Sequence, residues 1–360
     1  ILGSFVAPHW LAQGYLYRVA GWEVYAGEAI LSSLAIVLFG YLNLRGTKIV
    51  GQAQLAMVLL LVAAVGVMFA GTFLKPGVAF DNWRPLFAPE KTPPAAVLAI
   101  LAIAPWAYVG FDTIPQAAEE FNFSAGKAFG LIALAIFFGA AAYITVTLAT
   151  AVVFPWQELL AQRPVWATGI AIQAATGAAG VGVLVAGVTM AILTGINGFY
   201  LATSRLLFSM ARVKVLPAWF ARLHPVYNTP ANAILFVGLL SLVAPWLGRG
   251  VILWVVDMSA VGVAIGYGYT ALAAFRLSNG RPGERRWVHL LGAMFAASFL
   301  ALLLIPGMPA FMAPPSWMAF AGWLALGAIF YAVQAGEYRS LPEARFEALI
   351  MGSAPAQSGD

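Results

Sequence analysis

The segment Trp106-Ala107-Tyr108-Val109-Gly110-Phe111-Asp112, followed by Ala118-Glu119-Glu120, holds the residues of this chain best suited to do chemistry. It sets a glycine, an acid and aromatic rings inside a stretch that otherwise reads as a membrane span. Pro105 brings no amide donor and Gly110 takes backbone angles that other residues avoid, so the pair predicts a break in the helical ladder. Lipid tolerates open backbone and an ionisable group at that depth only where they face protein or a water-filled cavity. Carbonyls released by such a break accept an ammonium group or a cation, and the dipole of the following half-helix adds to the field. The bland alternative is a proline-kinked helix whose Asp112 bonds a neighbour. Asp112 stands just past the break, where a carboxyl can exchange protons. Glu119 and Glu120 read as a solvated, helix-ending pair.

A second polar group lies at Thr194-Gly195-Ile196-Asn197-Gly198-Phe199-Tyr200, with Ser204-Arg205 after it. Thr194, Asn197 and Ser204 either bond between helices, which is common glue in membranes, or face a cavity. Asp257 is either structural or pathway-lining. Glu28, near the end of its segment, snorkels or pairs with Arg18.

Other chemistries are excluded. His9, His224 and His289 are scattered with no HExxH, and there is no phosphate-binding glycine loop and no GxSxG elbow. The absence of cysteine removes disulfides, thiolate metal sites and a cysteine nucleophile. The sequence therefore predicts neither an enzyme nor a resident cofactor. A net charge of +5 calls for no nucleic-acid partner, because basic loops are expected of membrane proteins.

The elements that must position these residues are membrane helices. The chain is 62% hydrophobic and only 9% charged, against roughly 25% charged in an average soluble domain. Its apolar runs reach the length of about 18 residues needed to cross a bilayer. Ten segments are read near 1–17, 25–43, 48–73, 96–121 (interrupted), 127–153, 177–211, 230–247, 251–275, 288–305 and 316–335. A transmembrane domain over 1–336 is followed by a tail over 337–360. The chain opens on Ile1 inside an apolar stretch, so it reads as a fragment cut within a helix. Most of the 19 Lys and Arg fall on one set of alternate loops, which places that set and the C-terminus in the cytoplasm. Trp83, Trp156, Trp166, Trp246 and Trp317 read as interfacial anchors, and Gly262 and Gly266 as close helix packing.

Three stretches resemble the amino acid–polyamine–organocation (APC) family of permeases. They are Asn43-Leu-Arg-Gly-Thr-Lys-Ile-Val-Gly-Gln-Ala-Gln54, the 106–112 segment with Ala118-Glu-Glu120, and Ser204-Arg-Leu-Leu-Phe-Ser-Met-Ala-Arg212 with Leu216-Pro217, His224-Pro225 and Thr229-Pro230. The resemblance implies an all-α polytopic membrane protein with a LeuT-type inverted-repeat transporter core lacking its first two helices, about ten segments being present. It implies that a substrate ammonium lies against carbonyls at Trp106 and Val109, with Ala107, Tyr108 and Gly110 in the same shell. Phe199 and Asn197 would join that site. Asp112 and Thr194 would serve proton or sodium coupling. One departure stands out. Many proton-linked members carry a lysine where this chain has Leu61.

The expected function is a secondary active permease moving amino acids across a bacterial inner membrane by alternating access. Its partners would be an amino acid or amine and the lipid bilayer. Alternatives are a carrier of polyamines, nucleobases or ions on the same scaffold, or a non-transporting sensor or partner subunit. Oligomeric state is not legible.

Overall fold

A computed structural model describes residues 13–74, 78–116, 124–162, 166–248, 250–279, 284–308, 310–342 and 348–349. The described part begins with a β-hairpin, β1 (Tyr15–Val19) pairing antiparallel with β2 (Trp22–Tyr25). Residues 15–17 are thus strand, which corrects the expected helix through residue 17. Aromatic and β-branched residues favour the pleat, and positive φ at Ala20 and Gly21 closes the tight turn. Arg18 sits opposite Glu23 and its Nε donates to the Gly21 carbonyl. Tyr25 donates its hydroxyl to Glu23, which holds the phenol above its usual pKa.

Eleven α-helices follow among the described residues. These are α1 (Ala26–Arg45), α2 (Thr47–Phe73), α3 (Pro93–Ala107), α4 (Thr113–Gln116), α5 (Ala125–Ala151) and α6 (Trp156–Ala161). Then come α7 (Ala167–Arg212), α8 (Ala231–Ser241), α9 (Gly250–Leu277), α10 (Arg286–Leu304) and α11 (Pro314–Arg339). Seven are long and apolar enough to cross a membrane. Helix α7 starts ten residues before the expected boundary at 177 and kinks there, where Gly177 takes φ 71. That angle is open to glycine at little cost, so the same residue that looked like an end is a bend.

Helices α2 and α7 share the most extensive interface and run antiparallel. Gln54 meets Asn197, Ala64 meets Gly187, and Gly71 meets Thr176. One apolar cluster joins Ile36 and Phe39 of α1 to Met57, Tyr200 and Ile234. A second joins Met68 of α2 to Ala149 of α5 and to Ile172 and Leu184 of α7. Another sets Ala260 and Val261 of α9 against Leu303, Met312 and Trp317. Large apolar side chains such as Leu59, Phe129 and Phe137 point outward, an arrangement that lipid satisfies and water would not.

Glycine packing differs from expectation. A Cβ added at Gly262 or Gly266 would meet nothing, so those residues do not mediate close contact among the described residues. The close approach between α9 and α10 is made instead at Gly268 beside Ala296 and at Gly292 beside Ala271.

Candidate functional site

Helix α3 ends at Ala107 and α4 begins at Thr113, so the ladder is interrupted over residues 108–112. Gly110 stands at φ +133, an angle that lacks room for a side chain's steric demands on the backbone. The break is ordered by its own polar groups. The Gly110 amide donates to Asp112 Oδ1 at 2.8 Å, and the Gly110 carbonyl accepts from the Thr113 amide at 3.1 Å and hydroxyl at 2.6 Å. Tyr143 of α5 reaches across and donates its hydroxyl to the Ala107 carbonyl at 2.6 Å, its ring edge-on to Tyr108. Among the described residues, nothing donates to the carbonyls of Tyr108 and Val109. Within the described residues these two part-buried main-chain acceptors have no donor, so they can accept from water or from a cationic ligand.

These acceptors adjoin a cavity of about 830 Å³. Its walls are the break itself and one face each of α2, α5 and α7. On α2 the face is Leu61, Ala64, Val65 and Met68, the helical repeat of three and four residues. On α7 it is Leu184, Gly187, Val188, Ala191 and Thr194. No charged side chain lines it among the described residues.

The sequence-derived candidates divide. Ala107, Tyr108, Val109, Gly110 and Thr194 line the cavity together, and the Thr194 hydroxyl is turned back to the Met190 carbonyl. Asp112 is not among the lining residues and accepts from the Gly110 amide. Phe199 and Asn197 are not brought to the cavity. Phe199 is about half exposed, at 49%. Asn197 is buried in a chain of amides, accepting from Asn43 at 3.0 Å and donating to Gln54 at 2.7 Å. The side chain of Trp106, and all of Ala118, Glu119 and Glu120, lie outside the described residues.

Other polar residues find structural partners. Asp257 accepts from the buried Ser316 hydroxyl at 2.6 Å, tying α9 to the first turn of α11. Glu28 and Arg18 share a surface cleft with Glu23 and Tyr25. Trp166, expected as an interfacial anchor, lines the cavity. Among the described residues no group of three His, Cys, Asp or Glu is placed to hold a metal ion.

Two residues escaped the sequence reading. Tyr143 is one; the sequence carried no distinct signal for it, because Thr145, Thr147 and Thr150 place other hydroxyls on the same helix. Tyr267 of α9 is the other. Its ring lies 5.7 Å from that of Phe111, and its buried hydroxyl finds no partner among the described residues.

Comparison with known proteins bears on what such a site serves. A methylthioribose transporter of Bacillus subtilis is 27% identical over 319 residues, covering 85% of this chain and 63% of that protein. An uncharacterized transporter of Rhizobium meliloti is 31% identical over 218 residues, covering 58% and 45%. A branched-chain amino acid permease of Bacillus subtilis is 26% identical over 219 residues, covering 59% and 44%. The chain thus spans about half to under two thirds of the length of these relatives. A family profile described as amino acid permease matches residues 6–331, taking in the break, the cavity walls and every helix up to the last turns of α11. A predominantly helical, multi-pass membrane chain organised around an interrupted span, this protein belongs to the amino acid permease family.

Proposed function

We propose that the protein to which this chain belongs is a secondary active transporter of amino acids, working by alternating access across the bacterial inner membrane with its C-terminus in the cytoplasm. The substrate's ammonium is held at the break, with Trp106, Ala107, Tyr108, Val109 and Gly110 forming its shell. The observation that carries this reading is the pair of carbonyls at Tyr108 and Val109, without a donor among the described residues, beside a cavity that no described charged side chain lines. Carbonyl dipoles complement an ammonium without offering a countercharge that would bind it too tightly to release. Asp112 is the candidate for proton linkage, since it is the carboxylate that orders the break. Thr194 is the candidate for sodium linkage. Leu61 leaves no basic side chain at that point of the cavity wall.

The test uses the full-length natural protein in proteoliposomes. Uptake of radiolabelled amino acid is expected, and Trp106→Ala and Gly110→Ala are expected to abolish most of it. Uptake that ignores both substitutions would remove the site assignment.

The similarity to a methylthioribose transporter over most of the chain favours a second reading, a carrier of a neutral solute with an apolar end. Counterflow with an unlabelled thiosugar separates the two.

A further inference from the structure

We infer that the corner where α9 passes into α10 is a docking surface for an anionic phospholipid. Its phosphate is held by the guanidiniums of Arg276, Arg285 and Arg286, and its acyl chains lie along the outward side of α10. This goes beyond the transport reading and does not depend on which solute the cavity takes.

The placement follows from packing. Both α9 and α10 are long and apolar enough to cross a membrane, so the turn that joins them lies at a bilayer surface. They run antiparallel, Gly268 meeting Ala296 and, one turn on, Ala271 meeting Gly292. The same register carried further brings Phe275 to Arg286, whose guanidinium carbon stands 4.4 Å from the ring centroid. A cation over a ring face keeps its charge, so Arg286 is fixed in place and still able to bind an anion. Arg276 follows Phe275 in the last turn of α9 and Arg285 precedes Arg286, and all three arginines are exposed. Residues 276–286 carry four arginines and one acid, Glu284, which reaches His289 at 3.9 Å.

Two further features give this corner the shape of a phospholipid. Trp287, exposed directly after the arginines, has the amphipathic ring that settles at headgroup level. Further along α10, Val288, Leu291, Met294 and Phe295 are exposed at spacings of three and four residues. A continuous apolar strip therefore leads from the arginines into the hydrocarbon. Planar guanidinium forks match phosphate oxygens in pairs, which makes a phosphate the fitting headgroup.

The test uses the full-length natural protein in detergent, titrated with phosphatidylglycerol or phosphatidylcholine brominated on the acyl chains, which quench tryptophan on contact. Phosphatidylglycerol is expected to quench at a concentration at least about fivefold lower, the effect of one arginine at an anionic surface. That preferred component is expected to vanish in Trp287→Phe. Arg276→Gln and Arg285→Gln are each expected to weaken it about fivefold, and added salt to weaken it further. Excess inorganic phosphate is expected to displace little, because it brings no acyl chains. Equal quenching by the two lipids, with natural circular dichroism, would overturn the proposal and leave only the basic loop that membrane orientation requires. A preference that survives Arg276→Gln and Arg285→Gln together would overturn the arginine assignment. Displacement by phosphate would make the ligand a soluble anion and overturn the lipid.

Discussion

The hydroxyl of Tyr143 on α5 lies 2.6 Å from the carbonyl of Ala107, the last residue of α3. One released carbonyl is thereby satisfied by a neighbouring helix, while the next two find no donor among the described residues. The break is consequently a held structure, coupled to α5 through this bond and the Tyr108–Tyr143 ring contact.

Tyr143→Phe removes only that donor. A neutral hydrogen bond contributes about 0.5–1.5 kcal/mol net, so the apparent KM for transport is expected to rise roughly 3- to 10-fold. Vmax is expected to change less. An unchanged KM in counterflow would show that the bond does not order the site.

Gly110→Ala tests the backbone angle rather than packing, because a Cβ at this position meets nothing within 4 Å. Holding alanine at φ +133 costs about 1–3 kcal/mol. The unfolding midpoint in detergent is expected to fall and uptake to be lost. A variant as stable as the natural protein would mean that the break tolerates other angles.

Asp112→Asn keeps an oxygen for the Gly110 amide but removes the charge, whereas Asp112→Ala removes both. The alanine variant is expected to lose about 1–3 kcal/mol of stability and the asparagine variant much less. If Asp112 also carries the coupled proton, the asparagine variant loses pH-gradient-driven uptake yet retains exchange. Equal uptake under a pH gradient in natural and asparagine proteins would end that role.

Asn197 links α1 and α2 through Asn43 and Gln54, and is only 1% exposed. Asn197→Ala leaves the buried Asn43 amide, which keeps its bond to the Phe39 carbonyl, and the part-buried Gln54 each one partner short, at up to about 1–3 kcal/mol for the buried one. A double-mutant cycle with Gln54→Ala is expected to show coupling, since the Gln54 carbonyl has no need of a donor once it is removed. Additive effects on the detergent unfolding midpoint would argue against the bond.

Gly187→Ala would place a Cβ 2.8 Å from that of Ala64, in the middle of the α2–α7 interface. Overpacking of this kind costs about 1–3 kcal/mol. Gly182→Ala on the same helix meets open space and is expected to be neutral or slightly stabilising, as helix propensity favours alanine. Equal thermal stability of the two variants would contradict the contact.

Much of the scaffold was legible because lipid acts on residue type. Long apolar runs, interrupted by Pro and Gly, located most of the spans from α1 onward to within a few residues, the start of α7 being ten residues off. The break was legible for the same reason, since Pro105 and Gly110 act on their own backbone. Legibility failed where an element's fate depended on distant partners. Tyr15 to Tyr17 are apolar enough to read as the end of a span, yet they pair with Trp22–Tyr25, and Tyr17 bonds to the Trp246 carbonyl. Gly177 looked like a boundary, although both sides of it remain helical.

The sequence by itself determined that this chain is a helical membrane protein and that one span opens near Gly110, because burial in lipid and backbone sterics are local consequences of side-chain type. Only the tertiary structure decided which polar residues share a space. Thr194 and Asn197 are less than one helical turn apart, yet the first faces the cavity and the second is locked among amides. That choice is made by the helix rotation that packing of α7 against α1 and α2 imposes, and no property of either residue alone contains it.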